Sequence, residues 1–252
     1  MSGWDKYGAL CMNEFSAIVE TTSEDHKHEI NESMIADIFD DEPIEVNRHS
    51  SPAERFIGRV FRGYIEIFKS RQSLADIEIY IRSFPFAKSG VSKSDYLGYH
   101  VTNYFAEVYI LKERLISYLK KLNREFRSEA CHAEIENQIS PLYKIVAGAL
   151  KNIVDIRGRH VHDLRYSNRD FERLSLLEVL AGPSAIDCEF REVLAPHYEL
   201  EFRSIRNDWK RRLKSNNEVL DELLDLYGEH LFATLCDESK NRLKCPARFN
   251  AT

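Results

Sequence analysis

The sequence predicts an all-α protein, a helical bundle, and three observations carry that expectation. After residue 50 the apolar residues recur at three- and four-residue spacing rather than in alternation. Capping boxes and Ser-Pro pairs, which start helices, precede several of those stretches. The chain also has no glycine-rich phosphate loop, internal repeat or low-complexity tract.

The elements follow in order. Ser51-Pro52-Ala53-Glu54 is a capping box with proline at the first helical position, where its missing N–H costs nothing. Phe56, Val60, Tyr64 and Phe68 then fall at four-residue spacing, beside Ile57, Phe61 and Ile65. Ile77, Ile79 and Ile81 alternate as in a strand, but the flanks are helical and no partner strand is evident, so Ser73 to Ile81 is read as a short helix. Phe84 to Ser94 reads as a loop, followed by a long helix with Phe105, Val108, Leu111, Leu115, Leu119, Leu122 and Phe126 on one face. Ser140-Pro141 is the clearest start signal in the chain, and Leu142, Ile145, Ala149, Ile153 and Ile156 form the stripe expected after it. Ser167-Asn168-Arg169-Asp170 opens another helix, which Gly182-Pro183 stops. Pro196 is expected to break the next segment. Tyr198, Phe202, Ile205, Trp209 and Leu213 follow as a stripe, then a turn at Asn216-Asn217 and a last helix with Val219, Leu223, Leu226 and Leu231. The polar tail from Asp237 to Thr252 is expected to be loose.

Charge divides the chain. Residues 1–50 hold 12 acidic and 3 basic residues, while the other 202 hold 29 acidic and 32 basic. The expected organisation is an acidic, partly helical segment over 1–50 and a single α-helical domain over 51–252. Within the acidic segment Ile30, Met34, Ile35, Ile38 and Phe39 have amphipathic spacing. The five cysteines are scattered, with no C-x-x-C pair, as expected of reduced thiols in a cytoplasmic protein. No apolar run approaches the ~18 residues of a membrane span, and the first residues lack the pattern of a signal peptide.

The densest chemistry lies in Ile153-Val154-Asp155-Ile156-Arg157-Gly158-Arg159-His160-Val161-His162-Asp163. An arginine and a histidine five residues apart can hold a phosphate and move a proton on it. With 21 arginines and 9 histidines, chance supplies about 0.75 such pairs, so position singles this one out: it ends an apolar helical run. Residues five apart on an ideal helix point ~140° away from each other. Arg157 and His162 meet at one phosphate only if Gly158 loosens the helix or a second chain supplies the other half.

The helix pair Asn103–Phe126 and Leu142–His162, carrying Arg157-Gly158-Arg159-His160-Val161-His162, resembles the HEPN superfamily over about residues 95–180. That family's motif is an arginine followed after four to six residues by a histidine at the end of a core helix. The position after the arginine is usually polar there and is Gly158 here. The resemblance implies a HEPN-like core and a homodimeric, metal-independent endoribonuclease without cofactor. Arg157 would clamp the scissile phosphate and His162 would act as general acid or base. Arg159, His160 and Arg165 would supply positive potential along the RNA, Tyr166 would stack on a base, and Asp163 or Asp155 would orient a histidine. Toxin–antitoxin or defence systems, with an antitoxin or regulatory partner, are the family's habit.

Other constellations compete. His162-Asp163 with His132, completed by Asp221 or Asp225, looks a little like the metal-dependent HD phosphohydrolases. His26-Lys27-His28 among acids has the composition of a loose metal site, and Cys131 and Cys188 lack an evident base. Trp209-Lys210-Arg211-Arg212-Leu213-Lys214 reads as a basic helix end that could also contact phosphates. A helical interaction or scaffold protein without chemistry is the alternative of a different class.

Overall fold

A computed structural model describes residues 1–21, 51–83, 91–151, 169–181, 188–237, 239 and 241–249. Six α-helices lie among them: α1 (Gly3–Thr21), α2 (Pro52–Arg82), α3 (Lys93–Glu125), α4 (His132–Ala149), α5 (Arg169–Ala181) and α6 (Cys188–Leu235). A two-residue antiparallel pair follows, β1 (Cys236–Asp237) with β2 (Arg242–Leu243), and then a 3-10 turn at Ala247–Phe249. The all-α expectation holds at this level. No helix among the described residues is long and apolar enough to cross a membrane.

The chain forms two compact units, each discontinuous in sequence: Met1–Glu66 with Ile116–Lys144 and Leu224–Thr252, and Ile67–Leu115 with Ile145–Leu223. The core of the first is aromatic. Trp4, Tyr7, Leu10 and Cys11 of α1 are buried among Phe56, Val60 and Tyr64, Tyr118, and Tyr227 and Leu231. Ser2 and Asp5 start α1 by exchanging hydrogen bonds: the Ser2 hydroxyl accepts from the Asp5 amide at 3.1 Å, and the Asp5 carboxylate accepts the Ser2 N–H at 3.3 Å. Tyr118 donates to the Val60 carbonyl at 2.9 Å and accepts from the Tyr7 hydroxyl at 2.5 Å, which seats both phenols in an apolar interior. Close approach makes this packing possible. A Cβ on Gly228 would stand 2.5 Å from the Trp4 Cα, and one on Gly3 would strike the Asp225 carbonyl.

The acidic reading of residues 1–50 concealed α1. Only three of the twelve acids precede residue 22, namely Asp5, Glu14 and Glu20. Glu14 is buried and answered by Arg242, with Nε to Oε1 at 3.1 Å and Nη2 to Oε2 at 3.0 Å, and by the Leu243 amide at 3.1 Å. The stretch Ile30–Phe39 lies outside the described residues.

The core of the second unit is built from Ile67, Leu74, Ile77 and Ile81 of α2, Val101, Tyr104, Val108 and Leu111 of α3, Leu174 of α5, and Tyr198, Phe202, Trp209 and Leu213 of α6. Ile77 and Ile81 are buried while Ile79 is 43% exposed, which settles the ambiguous stretch as the end of one 31-residue helix. Phe68, expected on the buried stripe, is instead 47% exposed, because the stripe passes through Ile67.

Three expected breaks do not occur. Pro141 lies inside α4, and the buried stripe is Ile135, Ile139, Leu142, Val146 and Leu150, with Ala149 exposed. Proline forfeits one backbone hydrogen bond, but apolar residues on both sides of it bury on one line and carry the helix through. Pro196 is likewise inside α6. Asn216-Asn217 makes no turn: the Asn217 Oδ1 accepts from the Tyr104 hydroxyl at 3.0 Å, and its Nδ2 donates to Glu78 Oε2 at 3.0 Å. An amide drawn into the core this way does not compete for its own backbone.

The described part of the tail is docked rather than loose. Leu243 is buried, the Ala247 amide donates to Glu129 Oε2 at 2.9 Å, and Arg248 donates to Ser128 Oγ at 2.9 Å and Glu125 Oε2 at 3.1 Å.

Two outcomes follow from this packing. Gly228→Ala should cost about 2 kcal/mol or more through overpacking against α1, read as a lower urea midpoint with an unchanged m-value; an unaltered midpoint would show that α1 does not lie on that backbone. Burial pushes the Cys11 thiol up to about 12 and raises the Tyr7, Tyr118 and Tyr227 phenols well above their ordinary value. These groups ionise more readily in the unfolded chain, so the stability they hold is complete below the unfolded values of about 8.5 and 10 and falls as the pH rises past them. The unfolding free energy, read from denaturant midpoints and m-values, should drop steeply above pH 10, by about 5 kcal/mol per pH unit while all four are ionised in the unfolded chain and neutral in the folded one.

Candidate functional site

The residues expected to carry chemistry, Arg157 and His162 with Arg159, His160, Arg165 and Tyr166, lie outside the described residues, as do Asp155, Asp163 and His26-Lys27-His28. The described helices that bracket the cluster in sequence are α4, ending at Ala149, and α5, beginning at Arg169. Gly182-Pro183 falls immediately beyond the end of α5 at Ala181, as expected.

The residues of the rival metal site have other partners where they are described. Asp221 accepts both Nε and Nη2 of Arg71, at 2.6 and 2.8 Å, a bidentate pair that a metal would have to break. The Asp225 carboxylate faces the Trp4 amide at 3.4 Å. His132 opens α4 with its Nδ1 3.9 Å from Glu136. Among the described residues no group of three or more His, Cys, Asp and Glu side chains could hold a metal. Cys131 is exposed at the surface.

Most charged clusters of the described residues are internally satisfied. At the start of α3 the Glu178 carboxylate of α5 accepts from the Lys93 amide at 2.8 Å, the Ser94 amide at 3.0 Å, and the Ser92 and Ser94 hydroxyls at 2.7 and 2.6 Å. It serves as a cap supplied from a distant helix. Burial would raise the Glu178 carboxyl, but hydrogen bonds from Ser94 and Ser92 outweigh it and hold the group below the ordinary carboxylate range. Lys93 reaches the other way, 2.5 Å from Glu199 Oε1 and over the Tyr198 and Phe202 rings. His100 packs against the rings of Tyr80, Tyr96 and Tyr99 at 4.4–5.4 Å between centroids, and burial lowers its pKa, favouring the neutral ring.

The basic run Lys210–Lys214 is different. It is not a helix end, because α6 continues to Leu235. Trp209 is buried, stacked on Phe171 at 5.7 Å and edge-on to Phe105 at 6.1 Å, and Arg212 lies over its ring. Lys210, Arg211 and Lys214 point to solvent. Sequence reasoning left Arg203 out of this set; its seven- and eleven-residue spacing from Lys210 and Lys214 was the available signal.

Compared with protein-family models, curated proteins and solved structures, the chain matches none.

Removing the remote cap should be measurable. Glu178→Ala should cost about 1 kcal/mol at pH 7, the usual loss for a helix cap. The carboxylate contributes above its unfolded pKa of about 4.3, and the contribution fades as the pH falls through its lowered folded value. The gap between wild-type and variant melting temperatures should therefore narrow below about pH 4, and a gap independent of pH would argue against the cap.

Proposed function

We propose that the chain is a metal-independent endoribonuclease of HEPN type that acts as a homodimer. One observation carries this reading: in an all-α chain, Arg157-x4-His162 lies in sequence eight residues beyond the end of α4, whose stripe of Ile135, Ile139, Leu142 and Val146 is buried. Arg157 clamps the scissile phosphate with a planar, permanently charged fork and offsets the charge that grows on its oxygens. Histidine, the residue type at 162, is the general acid or base suited to neutral pH. In-line cleavage needs two proton transfers, one from the attacking 2′-OH and one to the departing 5′-oxygen, as the 2′-O–P bond forms and the P–O5′ bond breaks. A single His162 cannot begin as both base and acid, whereas two chains facing one phosphate supply one of each. Arg159, His160 and Arg165 hold the RNA strand and Tyr166 stacks on a base.

A helical interaction protein without chemistry is the second reading. Its support is the set of large apolar side chains left in solvent on α5 and early α6: Leu176, Val179, Leu180, Val193 and Leu200. Singly such residues need no explanation, but five on two helices of one unit make a surface that a second chain could cover.

RNA cleavage in excess chelator tests the first reading. Wild-type protein should cleave, and Arg157→Ala and His162→Ala should each lose at least ~100-fold, the usual contribution of such groups. Loss of cleavage in chelator would point to the HD-type reading. Cleavage indifferent to both substitutions would remove the assignment, and a dimer with no cleavage would leave the interaction module.

A further inference from the structure

Between Arg203 and Lys214, α6 carries six cationic residues and one acid, Asp208. At 3.6 residues per turn, Arg203, Lys210 and Lys214 fall within about 40° of one another, and Arg211 lies about 60° further round. The buried face, Phe202, Ile205, Trp209 and Leu213, is centred about 115° round the helix from that stripe. Arg206 and Arg212 flank the buried face and pack over the Phe202 and Trp209 rings. Arg206 is half-buried, and Arg212 and the other four cations are exposed. Arg203 and Lys210 have no ion-pair partner among the described residues. Arg211 pairs with Asp208 in its own helix, and Lys214 approaches Glu218 at 3.9 Å. Both pairs are exposed, and such pairs hold their partners weakly.

We propose that this stripe of α6 binds the phosphate backbone of single-stranded RNA without regard to sequence. Lys210 and Lys214, four residues apart, are a like-charge pair that adds nothing to the core, so a polyanion relieves a cost already present in the fold. The stripe runs about 16 Å at 1.5 Å per residue, long enough to meet several phosphates of one strand. An anionic membrane fits less well. A helix lying on lipid offers bulky apolar side chains beside its cations, whereas within Arg203–Lys214 every large apolar side chain of α6 is buried and the nearest exposed one, Leu200, lies one turn before it. The choice of RNA over DNA rests on the ribonuclease reading; the phosphate chemistry does not.

The test is fluorescence anisotropy of a labelled 20-nucleotide 2′-O-methyl oligouridylate, which lacks the attacking hydroxyl, with the full chain in 50–200 mM salt. Arg203→Gln/Lys210→Gln/Lys214→Gln should weaken binding at least tenfold at 50 mM salt. It should also flatten the slope of log affinity against log salt by about 2, the value for three lost phosphate contacts on a single strand. An unchanged melting temperature shows that the triple variant folds. Arg157→Ala/His162→Ala should abolish cleavage of ordinary RNA while the triple variant's loss of salt dependence stays visible in its background. Equal affinity and slope in wild type and triple variant would overturn the proposal, as would a wild type that fails to bind the oligonucleotide or that binds only phosphatidylserine vesicles. Cleavage with no stripe dependence sinks this inference alone, and stripe-dependent binding with no cleavage sinks the ribonuclease reading alone.

Discussion

The fold rests on apolar stripes that run with α2, α3 and the part of α6 from Tyr198 onward. A helix that stopped midway would expose up to four backbone carbonyls and four amides at the break and strand the apolar side chains beyond it. Burying one leucine, isoleucine or phenylalanine stabilises by about 1.5–3 kcal/mol. A single proline costs about 3 kcal/mol through its missing N–H and its steric clash. Four buried residues around Pro141, namely Ile135, Ile139, Leu142 and Val146, therefore outweigh the local penalty. At Pro196 of α6 the buried residues lie on one side only, from Tyr198 and Phe202 onward.

Three sets of polar groups drawn into these interiors are matched by partners there. Glu14 receives Arg242 and the Leu243 amide, Asn217 is held by Tyr104 and Glu78, and Tyr7 and Tyr118 share a hydrogen bond that ends on the Val60 carbonyl. Each arrangement joins elements far apart in sequence, and each would leave an uncompensated group if one member were removed. The Glu14 set also explains why the final residues are docked. A buried carboxylate requires its donors, and β2 brings both the Arg242 side chain and the Leu243 amide to it.

The helical stripes were legible because period is a property of neighbours in sequence. All seven residues expected on the buried face of α3 are buried, and so are all five from Tyr198 to Leu213 on α6. Breaks were not legible, because Pro141, Pro196 and Asn217 are decided by partners tens of residues away. Misplacing the start of α4 also misplaced its buried line, from Ile145 and Ala149 to Val146 and Leu150. Helix α1 was hidden by averaging: the acids of residues 22–50 coloured a segment whose first 21 residues hold only three. Its Ser2–Asp5 box and its Trp4, Tyr7 and Cys11 spacing were the signals to weigh. The candidate site was legible as a motif of residue types only. Its geometry falls outside the described residues.

Net charge is a poor guide to what such a chain binds. The whole sequence carries −6, which taken alone opposes a polyanion. Screening limits that objection, since at physiological salt exposed charges more than about 8 Å apart hardly sense one another. A ligand lying along α6 therefore responds to Arg203, Lys210, Arg211 and Lys214, four cations on one exposed helix face, and little to acids elsewhere. The helix that builds the core of the second unit through Phe202, Trp209 and Leu213 fixes those cations in register on its other side. Packing and charge presentation are thus one constraint: the buried period that makes α6 a helix also aligns the residues that face the solvent.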